Sequence, residues 1–93
     1  MVPKKVLQKI KQRDSFRCIA CGIPGSDIHH IVPRSQFGKK DERRDAIYNL
    51  CFICKSCHAT AHTKQSRIDL LKIMKRRYKY EYTEYPWKKY IDE

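Results

Sequence analysis

Apolar residues near the start of the chain recur among lysines at Val6, Leu7 and Ile10, which predicts a helix over residues 3–13. Pro3 suits its first turn, and Asp14 and Ser15 interrupt the pattern. Ile28, Ile31 and Val32 predict a strand over 28–33. Ile47, Tyr48, Leu50, Phe52 and Ile53 predict a second over 46–53, returning antiparallel to the first. The polar stretch 34–45 between them, with Gly38 inside it, reads as a long loop, and long loops in compact domains are usually functional. A helix is expected from Lys55 to about Gln65. Ser66 is the expected N-cap of a last helix over 67–79, whose Ile68, Leu71, Met74 and Tyr78 form one face for core packing. The tail, 81–93, carries Tyr82, Tyr85, Trp87 and Tyr90. Such rings either cover a core or stack on bases, and so small a core favours cover.

Ninety-three residues, a third of them charged, make one small domain over 1–93 with little apolar material to bury. Such a chain needs a staple, and five cysteines could supply one. A disulfide framework requires an oxidising compartment, yet Met1 to Arg13 lacks the apolar run of a secretory signal. Nor does any stretch approach the ~18 apolar residues of a membrane span. The expectation is therefore an intracellular, cytoplasmic protein whose paired cysteines hold metal. A structural Zn²⁺ contributes about 10–16 kcal/mol in small zinc-dependent peptides. That exceeds the ~5–15 kcal/mol net stability of an ordinary domain.

The formal net charge of +11 points to a polyanionic partner. Lys4, Lys5, Lys9, Lys11 and Arg13 open the chain without an intervening acid, and Arg67, Lys72, Lys75, Arg76, Arg77 and Lys79 crowd a second stretch. Nucleic acid, double-stranded DNA first, is the expected partner; a membrane surface is the poorer fit.

Two Cys-x-x-Cys pairs, Cys18/Cys21 and Cys54/Cys57, bracket His29 and His30, and the second pair runs into His58 and His62. Four thiolates give Zn²⁺ a closed tetrahedral site, and Gly22 after the first pair permits the tight turn of a zinc knuckle. A knuckle, a hairpin and a second pair at a helix start make a treble-clef arrangement. Cys51 stands outside both pairs and reads as a small core side chain. On a helix, His58 and His62 would share a face and converge on one ion or one phosphate. On a strand, the adjacent His29 and His30 alternate. One then faces the helix and an ion, while the other is free for acid–base work near pH 7.

Arg13-Asp14-Ser15-Phe16-Arg17-Cys18-Ile19-Ala20-Cys21-Gly22, Ile28-His29-His30-Ile31-Val32-Pro33-Arg34-Ser35, Asn49-Leu50, and Cys54-Lys55-Ser56-Cys57-His58 with His62 together resemble an HNH endonuclease. The resemblance covers about 13–62 and implies a small α+β, ββα-metal fold, with flanking helices and tail outside it. It implies His30 as general base, His29 and His58 as ligands of a catalytic divalent ion, and His62 as a further ligand or phosphate contact. Asn49 would hold the loop and orient His30 by hydrogen bonds. Many relatives carry Asp where His29 stands, so the ion is open among Mg²⁺, Mn²⁺, Zn²⁺ and Ni²⁺, imidazole suiting the last two. Arg34, Lys39, Lys40, Arg43 and Arg44 are the expected nucleic-acid contacts, Arg34 as a phosphate clamp. The implied reaction is hydrolysis of DNA to 5′-phosphate and 3′-hydroxyl ends, by nicking or double-strand cleavage, with weak sequence selectivity or a protein targeting partner. Such nucleases occur in phage packaging, restriction and intron homing. A non-catalytic zinc-binding nucleic-acid adaptor is the rival reading; it leaves His30, Asn49 and the helix histidines without a task.

Overall fold

The run Leu50-Cys51-Phe52-Ile53 has no polar alternate, so a strand made from it must be covered on both faces. The computed structural model, which describes residues 2–91, shows that arrangement. Strand β2 (Leu50–Ile53) is buried throughout and pairs antiparallel with β1 (Asp27–His30). Leu50 and Phe52 pack with Ile10 of helix α1 (Lys4–Arg13), and Ile28 of β1 joins that cluster. Cys51 and Ile53 face the larger cluster, with Leu70, Leu71 and Met74 of helix α3 (Lys64–Tyr78) and Tyr82, Trp87 and Tyr90 of the tail. The short helix α2 (Lys55–Ala59) follows β2 after one residue, Cys54. The result is a small α+β fold: a two-stranded hairpin, helices around it and a four-cysteine cluster.

The hairpin register decides which side chains share a face. Asp27 lies opposite Ile53 and His29 opposite Cys51, so both share the face turned to α2, while Ile28 and His30 lie opposite Phe52 and Leu50. Gly25 enters β1 against the Phe52 ring, where an added Cβ would come within 2.5 Å of it.

Several elements end earlier than the apolar pattern predicts, and side-chain hydrogen bonds explain why. β1 stops at His30 rather than residue 33. Beyond it the Asn49 side chain replaces the ladder, accepting from the Val32 N–H at 3.0 Å and donating to the Val32 carbonyl at 3.1 Å. β2 begins at Leu50 because Ile47–Asn49 is a turn of 3₁₀ helix. The loop 34–45 holds two further such turns, Arg34–Gln36 and Glu42–Asp45. The helix expected over 55–65 ends at Ala59, and Thr63, not Ser66, caps α3: its hydroxyl accepts from the Ser66 N–H at 3.1 Å. Pro3 is the N-cap of α1, so that helix starts one residue later than expected.

Tyr82, Trp87 and Tyr90 cover the core, whereas Tyr85 is exposed. Residues 92 and 93 of the predicted tail lie outside the described residues.

One buried ion pair ties the layers together. The Asp14 carboxylate is fully buried, paired with Arg13 at 2.8 Å, accepting from the Phe52 N–H at 2.9 Å and from the Tyr78 hydroxyl. Arg13 in turn donates to the carbonyls of Ile47 and Leu50, each at 2.7 Å. Loss of the carboxylate strands a guanidinium and a strand N–H. Asp14→Ala is expected to destabilise the fold by about 3–5 kcal/mol, and Tyr78→Phe by about 1.5–3 kcal/mol. Urea unfolding of the zinc-loaded protein measures both, and equal stability of Asp14→Ala and parent would refute the role.

Candidate active site

Cys18 leaves the loop after α1 through a knuckle: its N–H bonds the Ile23 carbonyl at 2.6 Å, and the Gly22 N–H returns to the Cys18 carbonyl at 2.9 Å. Gly22 takes φ +86°, a conformation that glycine adopts without penalty. Cys54 caps α2, its sulfur accepting from the Cys57 N–H at 3.4 Å. The ligand atoms of Cys18, Cys21, Cys54 and Cys57 all lie within 4.8 Å of one another, and those of Cys21 and Cys54 are 3.7 Å apart. A tetrahedron with Zn–S bonds of ~2.3 Å has edges of about 3.8 Å, so the donor set fits zinc. Burial opposes ionisation of Cys18, but the N–H groups of Cys54, Cys21 and Ala20 outweigh it and bring the thiol down to about 6. Burial and the neighbouring sulfurs push Cys57 up instead. Four thiolates at this spacing need a cation among them.

On the α2-facing side of β1, His29 is buried, its ring centroid 5.0 Å from that of His58 and 5.5 Å from that of His62. The rings of His58 and His62 stand 5.6 Å apart. His62 lies in the turn after α2, not on a helix with His58, yet the chain returns it to the same place. Its backbone therefore differs from the expected i, i+4 pair while its neighbours do not. His29 Nε2 is buried without a hydrogen-bond partner, the condition of a nitrogen left for a ligand. His58 Nδ1 is held by the Asp27 carboxylate at 2.9 Å, which leaves its Nε2 open. That pairing also lowers the Asp27 pKa, with Lys55 adding to it. The donors suit a divalent transition metal. They are set wider than the sulfurs: among the described residues, the four cysteines are the one group of three or more such donors whose ligand atoms all lie within 4.8 Å of one another.

His30 has different partners. Its Nε2 is 2.8 Å from Asp45 Oδ1. Burial raises the Asp45 pKa, but the bond to His30 and its charge outweigh it and hold the carboxyl below its usual range. A carboxylate only accepts, so Nε2 carries a hydrogen, and in the neutral ring Nδ1 holds the lone pair. The expectation that Asn49 orients His30 by hydrogen bonds does not hold as a direct contact. Asn49 is fully buried and bonds Val32, the Arg44 carbonyl at 2.8 Å and the Trp87 indole at 3.0 Å; among the described residues its side chain does not bond His30. It holds the chain on both sides of the site, and Asp45 contacts the ring.

A cavity of about 340 Å³ joins these parts, bordered by His29, His30, His58, His62, Arg34 and Arg67. Of the basic residues expected to meet nucleic acid, Arg34 reaches it. Lys39 and Lys40 are exposed at the loop tip. Arg43 is committed elsewhere, to Asp41 and to Glu84 at 2.7 Å each, and Arg44 is half-buried, with Nε 3.7 Å from Asp45. Both are therefore poorer phosphate contacts than their sequence neighbours imply.

Residues 18–64 match the HNH endonuclease family. The chain belongs to that family. The matched span of the HNH domain contains both cysteine pairs and all four histidines. The chain is also similar to anaredoxin of Nostoc sp., with 30% identity over 69 residues, covering 72% of this chain and 84% of that protein. A mitochondrial DNA mismatch repair protein mutS homolog of Sarcophyton glaucum is 36% identical over 52 residues, 55% of this chain and 5% of that much longer protein. No solved structure matches. No helix among the described residues is long and apolar enough to cross a membrane.

Sequence reasoning missed three residues at the HNH site: Asp27, Asp45 and Arg67. Strand alternation from His29 identifies Asp27 as facing the same side; Arg67 is marked only as one charge in a basic stretch, and nothing local marks Asp45.

Elemental analysis after mild dialysis should find one tightly held zinc, and Cys54→Ala should lose both the zinc and native far-UV circular dichroism. The histidine site makes a separate expectation about pH. Burial, reinforced by His58, His62, His30 and Arg67, holds His29 down to about 4, against 6.5 in the unfolded chain. A depressed histidine leaves stability intact above pH 6.5 and erodes it as pH falls toward 4, because the unfolded chain protonates first. With the histidine site free of added metal, urea midpoints should fall between about pH 7 and about pH 5.5, and His29→Gln should flatten that slope.

Proposed function

We propose that this HNH domain is a metal-dependent DNA endonuclease that hydrolyses phosphodiester bonds, with His30 as general base. The observation that carries the reading is the single cavity bordered by four histidines and two arginines. His29, His58 and His62 would hold a catalytic divalent ion, and the four cysteines a structural Zn²⁺. When bound, the catalytic ion would supply Lewis acidity toward a phosphate oxygen and the departing 3′-oxygen.

The chain's own residues account for the rest. A phosphodiester resists water because its negative charge repels nucleophiles, so guanidinium groups at the cavity lower the barrier by neutralising it. Arg34 takes that role. His30 borders the cavity with its Nε2 held by Asp45, so Nδ1 of the neutral ring is the nitrogen left to take a proton from water. Asp45 fixes the tautomer and supports the imidazolium that results. Asn49 acts at one remove, by fixing the segments that carry His30 and Arg44. The similarity to a protein named for DNA mismatch repair supports DNA as the substrate.

His30 and the ligand histidines should fail differently. His29→Ala and His58→Ala should weaken binding of the second metal, with excess metal partly restoring cleavage. His30→Ala should keep fold, metal affinity and DNA binding, and lose cleavage by roughly 10²–10⁴-fold. Calorimetric metal titration beside nicking of supercoiled plasmid, with metals added singly, measures all three. Tight DNA binding without nicking under any metal would favour the zinc-binding adaptor, and His30→Ala cutting at the parent rate would remove His30 as base.

A further inference from the structure

Helix α3 continues past the family match, which ends at its first residue, Lys64. Arg67, in its first turn, borders the histidine cavity, and its Nε is buried without a partner. The next residue, Ile68, begins a second and larger groove of about 700 Å³ along the same helix. Ile68, Tyr90 and Ile91 give it an apolar side, and the exposed Lys72, Arg76 and Lys79 a cationic rim. No acidic residue lines it among the described residues.

We propose that α3 is the track for one strand of duplex DNA leaving the cleavage site, with Arg67 on a phosphate at the histidine cavity and Lys72, Arg76 and Lys79 on phosphates beyond it. The proposal rests on the nuclease reading above for the direction of the track, and on charge complementarity for its occupant. At ~1.5 Å per residue, Ile68 to Lys79 extends about 16 Å. With one phosphate per ~3.4 Å of axis on a single strand, that length passes about five phosphates, enough for three separate contacts. Lys72, Arg76 and Lys79 recur at intervals of four and three, which keeps them on one side of the helix, while Arg67, five residues before Lys72, stands on another side at the end that meets the histidine cavity. Apolar walls between cations suit sugar edges, and a guanidinium with two ammonium groups suits a phosphate chain whose sequence goes unread.

The salt dependence of binding tests the track. Affinity for a fluorescent duplex is measured over a range of salt in the His30→Ala protein, so that cleavage does not intervene. Lys72→Gln/Arg76→Gln/Lys79→Gln should reduce the slope of log affinity against log salt by up to about 2.7, at ~0.9 for each phosphate no longer neutralised. The double Lys72→Gln/Arg76→Gln leaves intact Lys79, the C-cap of α3, and should remove about 1.8. Lys4→Gln/Lys5→Gln/Lys9→Gln on α1 removes equal charge and should change the slope far less. Zinc content and circular dichroism report that each variant is folded. Equal loss from the α1 and α3 variants, or an unchanged slope in the α3 variants, overturns the track and leaves the nuclease reading standing. No duplex binding by the parent overturns both. Binding to phosphatidylserine vesicles that the α3 substitutions abolish, with duplex binding intact, assigns the groove to a membrane and overturns the proposal.

Discussion

Four sulfurs within 4.8 Å of one another cannot all ionise unless a cation lies among them, and the geometry of the fold depends on that constraint. Cys21 and Cys54 are 33 residues apart in sequence. Gathering them fixes the loop after α1 against the first turn of α2. Because α2 follows β2 after a single residue, the same constraint fixes α2 across the hairpin. His58 sits one residue beyond Cys57, so the sulfur cluster brings it to β1, where its bond to Asp27 holds it. The histidine site is thus positioned in part by side chains that lie outside it.

The register of the hairpin then divides the work of the two adjacent histidines. His29 shares a face with Cys51 and Asp27, toward α2; His30 shares the other with Leu50. Alternation separates their partners, yet the strand ends at His30 and both rings border one cavity. Had the strand run on to residue 33, as its apolar residues imply, His30 would have been confined to the α1 side. The buried Asn49 prevents this by taking over the hydrogen bonds of Val32.

Spacing was the legible part of this chain. The cysteine pairs, the hairpin and the buried face of α3 are local patterns, and each has its physical reading in a short window. Hydrogen bonds that stop elements are less visible. Nothing in the residues after Ala59 forbids helix as strongly as Thr63 capping α3 ends it, so the expected single helix over 55–65 breaks in two. Least visible are partners remote in sequence. Asp45 meets His30 across 15 residues and Asp27 meets His58 across 31. Arg43 looks like a phosphate contact beside Arg44 until Glu84, 41 residues on, takes its guanidinium. A charge in a basic run is free only if the fold leaves it so.

The tail shows why family membership alone does not account for the site. It lies outside the matched span, yet the Trp87 indole donates to Asn49, Tyr82 donates to the Tyr48 carbonyl at 2.7 Å, and Glu84 anchors Arg43. Tyr90 accepts from Gln36, so the loop 34–45 is held at both of its turns by residues 82–90. That loop carries Asp45, and Asp45 holds His30. Phe37 ties this 12-residue loop to the core, its ring 5.4 Å from that of Trp87. The tail adds a polar anchor at each turn, the Tyr90 hydroxyl for Gln36 and the Glu84 carboxylate for Arg43, while Trp87 buries a large aromatic area beside them. The motif therefore supplies the donors, and residues beyond the matched span supply the stiffness that keeps one imidazole in place.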